Sequence, residues 1–280
     1  TYTETENDLT VKANKRTFIF SKKDGQLKGV SVDNRKISFA NGPRFIGARR
    51  ADRSLDQFYN HDDEKAKEKD RTYSEFPDAA VFTKLDVKED GGNLVVTANY
   101  KLGNLDKAQW TINPSGDLAL DYTYNFSGVV DLMGIRFDYP EDQVISKRWL
   151  GAGPYRVWQN RIHGTQYDVW ENDYNDPIPG ETFTYPEFKG YFGDVSWMNI
   201  QTKEGTISLT NETPDAYIGV YQPRDGRDRL LYTLPESRIS VLNVIPPVRN
   251  KVNSTDLCGP SSQPKWVNGP QTGRVIFRFM

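Results

Sequence analysis

"AQWTINPSGDLALDYTYNFS", residues 108–127, decides the fold class. On both sides of "NPSGD" apolar and polar side chains alternate, so each flank presents one apolar face at a period of two, the signature of a half-buried strand. Between the flanks, Gly116 can adopt the positive φ that a tight hairpin requires. The same rhythm runs from end to end: "LTVKA", "RTFIFS", "LKGVSVD", "KISFA", "AAVFTKLDV", "NLVVTANYKL", "SWMNIQTK", "TISLTN", "AYIGVYQP", "RISVLNVI" and "RVIFRFM", with "KKDGQ", "KEDGGN" and "TKEGT" as further glycine turns. An all-β, antiparallel protein is expected. No 20- to 50-residue repeat and no Ser/Gly/Pro-rich linker divides the 280 residues, a length that can bury a large core. A single domain over residues 1–280 follows as the expectation.

Only "HDDEKAKEKD", residues 61–70, has helical character, and its charge density marks a solvated turn or two. Residues 41–78 and 151–195 break the strand rhythm. Both are expected to be long irregular excursions, where function gathers because loops escape the packing constraint on strands.

The charge balance narrows the partner. With 36 Lys+Arg against 38 Asp+Glu the formal charge is −2, so no overall field draws the chain onto nucleic acid or an anionic membrane, and a neutral partner is expected. No apolar run approaches the roughly 18 residues of a membrane span, and Thr1 opens a polar segment without a signal-peptide core, as in a mature form or an excised domain. One cysteine, Cys258, excludes an internal disulfide and a Cys-based zinc site. It suits a reducing compartment or a bacterial exported protein that needs no staple; a bacterial periplasmic or exported location is favoured over a cytoplasmic one.

Residues 151–176, "GAGPYRVWQNRIHGTQYDVWENDYND", concentrate Tyr155, Trp158, Tyr167 and Trp170 with Arg156, Arg161 and His163. Flat aromatics stack on the apolar faces of sugar rings while Arg, Asn, Asp and Glu bind hydroxyls, so an uncharged site of this composition suits carbohydrate. Core or rim packing is the competing use of each Trp and Tyr.

The order "GxGPxxxWxNR", then "DVW" and "YPEFKGY", resembles the C-terminal domain of family 2 β-galactosidases, whose pattern reads roughly Gly-x-Gly-Pro-x-x-x-Tyr-x-Asp/Asn-Arg, then a tryptophan, a tyrosine and a Pro-Glu turn. Gly151, Gly153, Pro154, Trp158, Asn160, Arg161, Trp170 and Pro186-Glu187 fall on those positions. Residues 15–54 are similar to that domain's opening, with Gly-Pro-Arg before an Arg/Asp-rich loop, and "DLCGPSSQPKW" resembles its last loop, whose tryptophan, here Trp266, reaches over the galactoside pocket. The resemblance implies a large two-sheet supersandwich of the galactose mutarotase type. It also implies a partnership with a galactoside or related glycan and with a catalytic barrel of the same parent protein. The substrate-binding residues it and the composition suggest are Trp266, Trp158, Arg161, Asn160, Tyr155, Arg156, His163, Trp170 and Glu187.

Hydrolysis in that family needs two carboxylates about 5 Å apart in retaining enzymes, and the resemblance puts both on the barrel. No catalytic residue, metal or cofactor is therefore expected in this chain. Glu171, Asp173, Asp176 and Glu187 are the local alternatives. A free-standing aldose epimerase would instead need a general acid and base, for which His61 or His163 and a carboxylate are candidates. A structural buttress that touches no sugar is the third reading. "HDDE" at 61–64 reads as a solvated charge run before it reads as a metal site, and "NFS", "NET" and "NST" match glycosylation acceptors.

Overall fold

The computed structural model describes residues 1–50, 73–174, 188–221, 234–248 and 259–280. Among the described residues there is no α-helix; nearly all regular structure is antiparallel strand in two sheets, as the alternation predicts. In chain order the strands are Tyr2–Glu4 (β1), Asp8–Ala13 (β2), Arg16–Ser21 (β3), Leu27–Val32 (β4), Arg35–Ile37 (β5), Ala40–Arg50 (β6), Tyr73–Glu75 (β7), Val81–Asp90 (β8), Asn93–Lys101 (β9) and Leu105–Ile112 (β10). They continue with Leu118–Val130 (β11), Leu132–Asp138 (β12), Val144–Gly153 (β13), Gln166–Asp173 (β14), Trp197–Thr202 (β15), Gly205–Asn211 (β16), Tyr217–Val220 (β17), Ile239–Val244 (β18) and Lys265–Phe279 (β19). The first sheet runs β1-β2-β3-β4-β6-β12-β18-β17, with β5 on β4 and β7 on β6; the second runs β14-β13-β15-β16-β19-β11-β10-β9-β8.

The two sheets face each other across an aromatic core. Phe39, between β5 and β6, lies 4.8 Å from the Phe137 ring of its own sheet and 5.0 Å from Phe277 of the other. Phe20 of β3 meets Trp110 of β10 at 5.9 Å. All five are fully buried, and each such side chain contributes about 1.5–3 kcal/mol by leaving water. The 108–127 hairpin forms as read: Trp110 pairs with Leu120 and Ile112 with Leu118 across a turn in which Gly116 has φ 85°. Between the sheets, β11 runs directly into β12 through the single residue Asp131. That residue is fully buried; its N–H donates to the Ala48 carbonyl and its carboxylate accepts the Arg50 N–H, both at 2.9 Å.

Two expectations need correction. Residues 41–78 are not an irregular excursion throughout, because the first part is the eleven-residue β6 and Tyr73–Glu75 pairs with it. Phe45 faces the main core while Ile46 and Ala48 are buried on the opposite face, so the strand is covered on both sides and the period-two pattern disappears. Residues 151–195 likewise contain the end of β13 and the eight-residue β14, an edge strand whose side chains are mostly exposed and so carry no apolar alternation. The solvated helical turn or two expected at 61–70 lies outside the described residues.

Candidate functional site

Past Gly153 the chain leaves the second sheet and folds onto the outer face of the first. Val157 exchanges both backbone hydrogen bonds with Tyr191 at 2.7 Å, and Phe192 exchanges two at 2.9 Å with Ile218 of β17, so the segment extends that sheet. Gly190 makes the approach possible: a Cβ there would stand 1.9 Å from the Val157 carbonyl oxygen. Beneath the segment lies a second, smaller apolar cluster in which Val157, Trp158 and Tyr191 cover Ile46, Ala48, Leu132 and Leu242.

Residues 158–161 close a tight hairpin. Trp158 N–H donates to the Arg161 carbonyl at 3.3 Å and Arg161 N–H returns to the Trp158 carbonyl at 2.9 Å. Gln159 and Asn160 stand at its tip. The Gln159 amide donates to the Ser261 and Gln263 carbonyls at 2.6 and 2.7 Å, and its backbone N–H donates to the Pro246 carbonyl at 3.1 Å. The Asn160 amide donates to the Val248 carbonyl at 2.7 Å and to Ser262 Oγ at 3.1 Å, while its Oδ1 accepts the Val248 N–H at 2.9 Å. The turn that leads into Trp266 is therefore tied to the 154–161 turn, more than a hundred residues earlier.

The site residues expected from sequence separate into two groups. Trp158 and Arg156 are inside: the Trp158 indole is fully buried and packs perpendicular to Tyr191 at 5.7 Å, and the buried Arg156 guanidinium sits 5.9 Å from the centre of the Phe192 ring. Neither presents a face to a ligand, which corrects both assignments. Trp170 is half-buried on β14, packs against the main core and donates its indole N–H to the Gln166 carbonyl at 3.3 Å. Asn160 spends its amide on backbone and serine partners.

Trp266 is on the outside, 72% exposed at the start of β19, opposite Val129, because its neighbour Val267 takes the inward position against the core. Arg161 is exposed, with its guanidinium 5.1 Å from the Phe188 ring centre. Tyr155 packs edge-on against Phe188 at 5.3 Å and donates its hydroxyl to the carbonyl of exposed His163 at 2.8 Å. Glu171 and Asp173 are exposed on β14. Glu187, Asp176 and His61 lie outside the described residues. Gln159 and Phe188, which residue type alone does not single out, carry the tie to the Trp266 turn and the platform under Arg161. Both stand inside quoted motifs, yet nothing in residue type marks an amide as a fastener. Burial pushes the Tyr191 phenol pKa well up, and its hydroxyl has no hydrogen-bond partner among the described residues, so it is an uncharged packing group.

What remains accessible is an indole face, a guanidinium and a half-buried phenol ring, a set suited to stacking on a ring and pairing with hydroxyls.

Comparison with known proteins agrees with this architecture. Residues 12–266 match the family described as beta galactosidase small chain. The galactose 1-epimerase of Lactobacillus acidophilus NCFM shares the fold at 8% identity and a TM-score of 0.52, over 100% of this chain and 98% of its own. A galactose mutarotase-like protein from Lactobacillus casei ATCC 334 aligns at 12% identity and a TM-score of 0.40, over 98% of this chain and all of its own. The alpha-N-acetylgalactosaminidase NagBb from Bifidobacterium bifidum aligns at 11% identity and a TM-score of 0.43, over 97% of this chain and 36% of its own. No curated protein sequence matches. With the match covering most of its length, the chain belongs to the beta galactosidase small chain family and has the galactose mutarotase-like two-sheet fold of that family.

Proposed function

We propose that this chain is a carbohydrate-binding domain of a larger β-galactosidase-like protein, lending Trp266 and Arg161 to a galactoside pocket whose two catalytic carboxylates stand on a separate barrel. The observation that carries the reading is the exposed Trp266 indole, at the end of a turn that is hydrogen-bonded to the hairpin bearing Arg161. A large indole left in water costs hydration free energy that burial would recover, and a sugar face recovers it. Tyr155 and His163 stand beside Arg161 as further hydroxyl partners, and Glu187 belongs to the same family motif. A neutral glycan also matches the charge balance.

With only the small-chain half of the pocket, a few contacts must offset the cost of immobilising a ligand. Affinity for a monosaccharide is then about 1 mM, equivalent to roughly 4 kcal/mol. The test is titration of methyl β-galactoside and lactose into the wild-type chain and Trp266→Ala. Saturable millimolar binding that Trp266→Ala removes supports the reading; no binding, or binding that the substitution leaves unchanged, overturns it. Adding galactose enriched in one anomer to the same sample checks the epimerase alternative: accelerated interconversion that His163→Ala removes would replace the binding role with catalysis.

A further inference from the structure

We propose that Gln159 and Asn160 are positioning residues, which hold the Ser261–Gln263 turn, and through it Trp266, in one fixed arrangement with the Arg161 hairpin. The inference rests on reading Trp266 as the sugar contact, and it assigns the two amides a task different from touching sugar.

A primary amide has two N–H donors. Gln159 spends both, on the Ser261 and Gln263 carbonyls, and Asn160 spends both, on the Val248 carbonyl and Ser262 Oγ. No donor on either side chain is left for a ligand hydroxyl. The arrangement also has a direction. Gln159 Oε1 is buried without a hydrogen-bond partner among the described residues, a cost of about 1–3 kcal/mol. That cost is tolerated because turning the amide over would set its oxygen against two carbonyl oxygens. Asn160 pins positions 248 and 262 with one side chain, its Oδ1 and Nδ2 both engaging Val248. Ser262 is fully buried and anchors the turn from below. From Gln263, held by Gln159, only Pro264 and Lys265 lead to Trp266, and the fixed φ of proline transmits the direction of the turn to the indole. Pairing of Trp266 with Val129 then fixes the strand, leaving the turn to set how the chain enters it.

The test uses Gln159→Met, which keeps the volume and removes both donors, and Gln159→Glu, which sets one carboxylate oxygen against both carbonyls. Two signals are read in the full chain: the indole N–H resonance of Trp266, identified by its loss in Trp266→Ala, and the affinity for methyl β-galactoside. The expected result is a shift of the Trp266 resonance in each variant with the other indoles in place, and a loss of affinity of about 3- to 10-fold, the weight of one or two hydrogen bonds. An unmoved Trp266 resonance, or an affinity for methyl β-galactoside that neither Gln159 variant changes, overturns the inference. Should Trp266→Ala itself leave sugar binding unchanged, the sugar-site reading fails while the resonance still decides whether the amides position the indole. If Gln159→Met does not fold, Gln159→Glu and Ser262→Ala, which deletes one acceptor of the clamp, are read by the same resonance.

Discussion

The Tyr139 hydroxyl donates to Glu204 Oε2 at 2.9 Å, and that one carboxylate joins the two sheets. Glu204 lies in the turn between β15 and β16 of the second sheet, Tyr139 follows β12 of the first, and Ser38 precedes β6. Ser38 donates its N–H to Oε2 at 2.9 Å and its hydroxyl to Oε1 at 2.6 Å. Burial alone would raise the Glu204 pKa; the hydrogen bonds from Ser38 and Tyr139 outweigh it and hold the carboxyl below its ordinary value.

A carboxyl with a depressed native pKa binds protons more readily once unfolded, so its contribution is complete above the unfolded pKa, about 4.3, and is lost as pH falls through the lower native value. Urea unfolding should therefore show wild-type stability declining below about pH 4.5 relative to Glu204→Gln. At pH 7 the substitution should cost about 2 kcal/mol, the weight of hydrogen bonds to a charged acceptor. Parallel pH profiles for the two proteins would remove Glu204 from this role.

Asp131 makes a different prediction, because it is fully buried where the chain passes between sheets. Asp131→Ala strips the Arg50 N–H of its acceptor and leaves a cavity, with an expected loss of about 3 kcal/mol. Asp131→Asn keeps an acceptor oxygen and should recover about half of that. Equal unfolding midpoints for the two variants would show that the hydrogen bond is not what matters there.

Gly190→Ala should cost about 2–3 kcal/mol, since its Cβ would stand 1.9 Å from the Val157 carbonyl oxygen and backbone must move to admit it. The denaturant midpoint should fall with the slope unchanged, and the Val157 and Tyr191 amides should lose hydrogen-exchange protection before the sheet centres do. Protection lost evenly across the chain would contradict a local origin.

These examples show where the sequence was legible. The hairpins could be read because one face of each strand meets the core and the other meets water, so burial is written into alternation, as at Trp110 and Leu120. Strand β6 hid because Ile46 and Ala48 are covered as fully as Phe45, and β14 hid because an exposed edge strand needs no apolar face. In the candidate site, the family motif names residues without saying which side chains face out. Trp158 and Trp266 are the same residue type in equally polar stretches; only the tertiary position of the 158–161 hairpin, pressed onto the first sheet, decides that one is core and the other surface. The same limit explains Asn160, whose motif position is informative and whose partners, Val248 and Ser262, are set by long-range contacts.

That contrast between the two tryptophans gives the last prediction. Trp158 is fully buried in the smaller cluster against Tyr191, so Trp158→Ala should cost about 3–5 kcal/mol by the loss of its apolar contacts and the cavity left behind. Trp158→Phe keeps much of the volume and should cost less than half of that. Trp266 is 72% exposed, so Trp266→Ala should leave stability within about 0.5 kcal/mol of wild type. On the proposed reading, galactoside titration reverses the order. Trp266→Ala should abolish binding at concentrations where the wild type is half saturated, whereas Trp158→Phe, measured well below its melting temperature, should bind as wild type does, because its ring is buried. Urea midpoints and titrations on the three variants therefore separate a packing tryptophan from a binding one. The assignment fails if Trp266→Ala destabilises the fold as much as Trp158→Ala, or if Trp158→Phe loses sugar affinity while remaining fully folded.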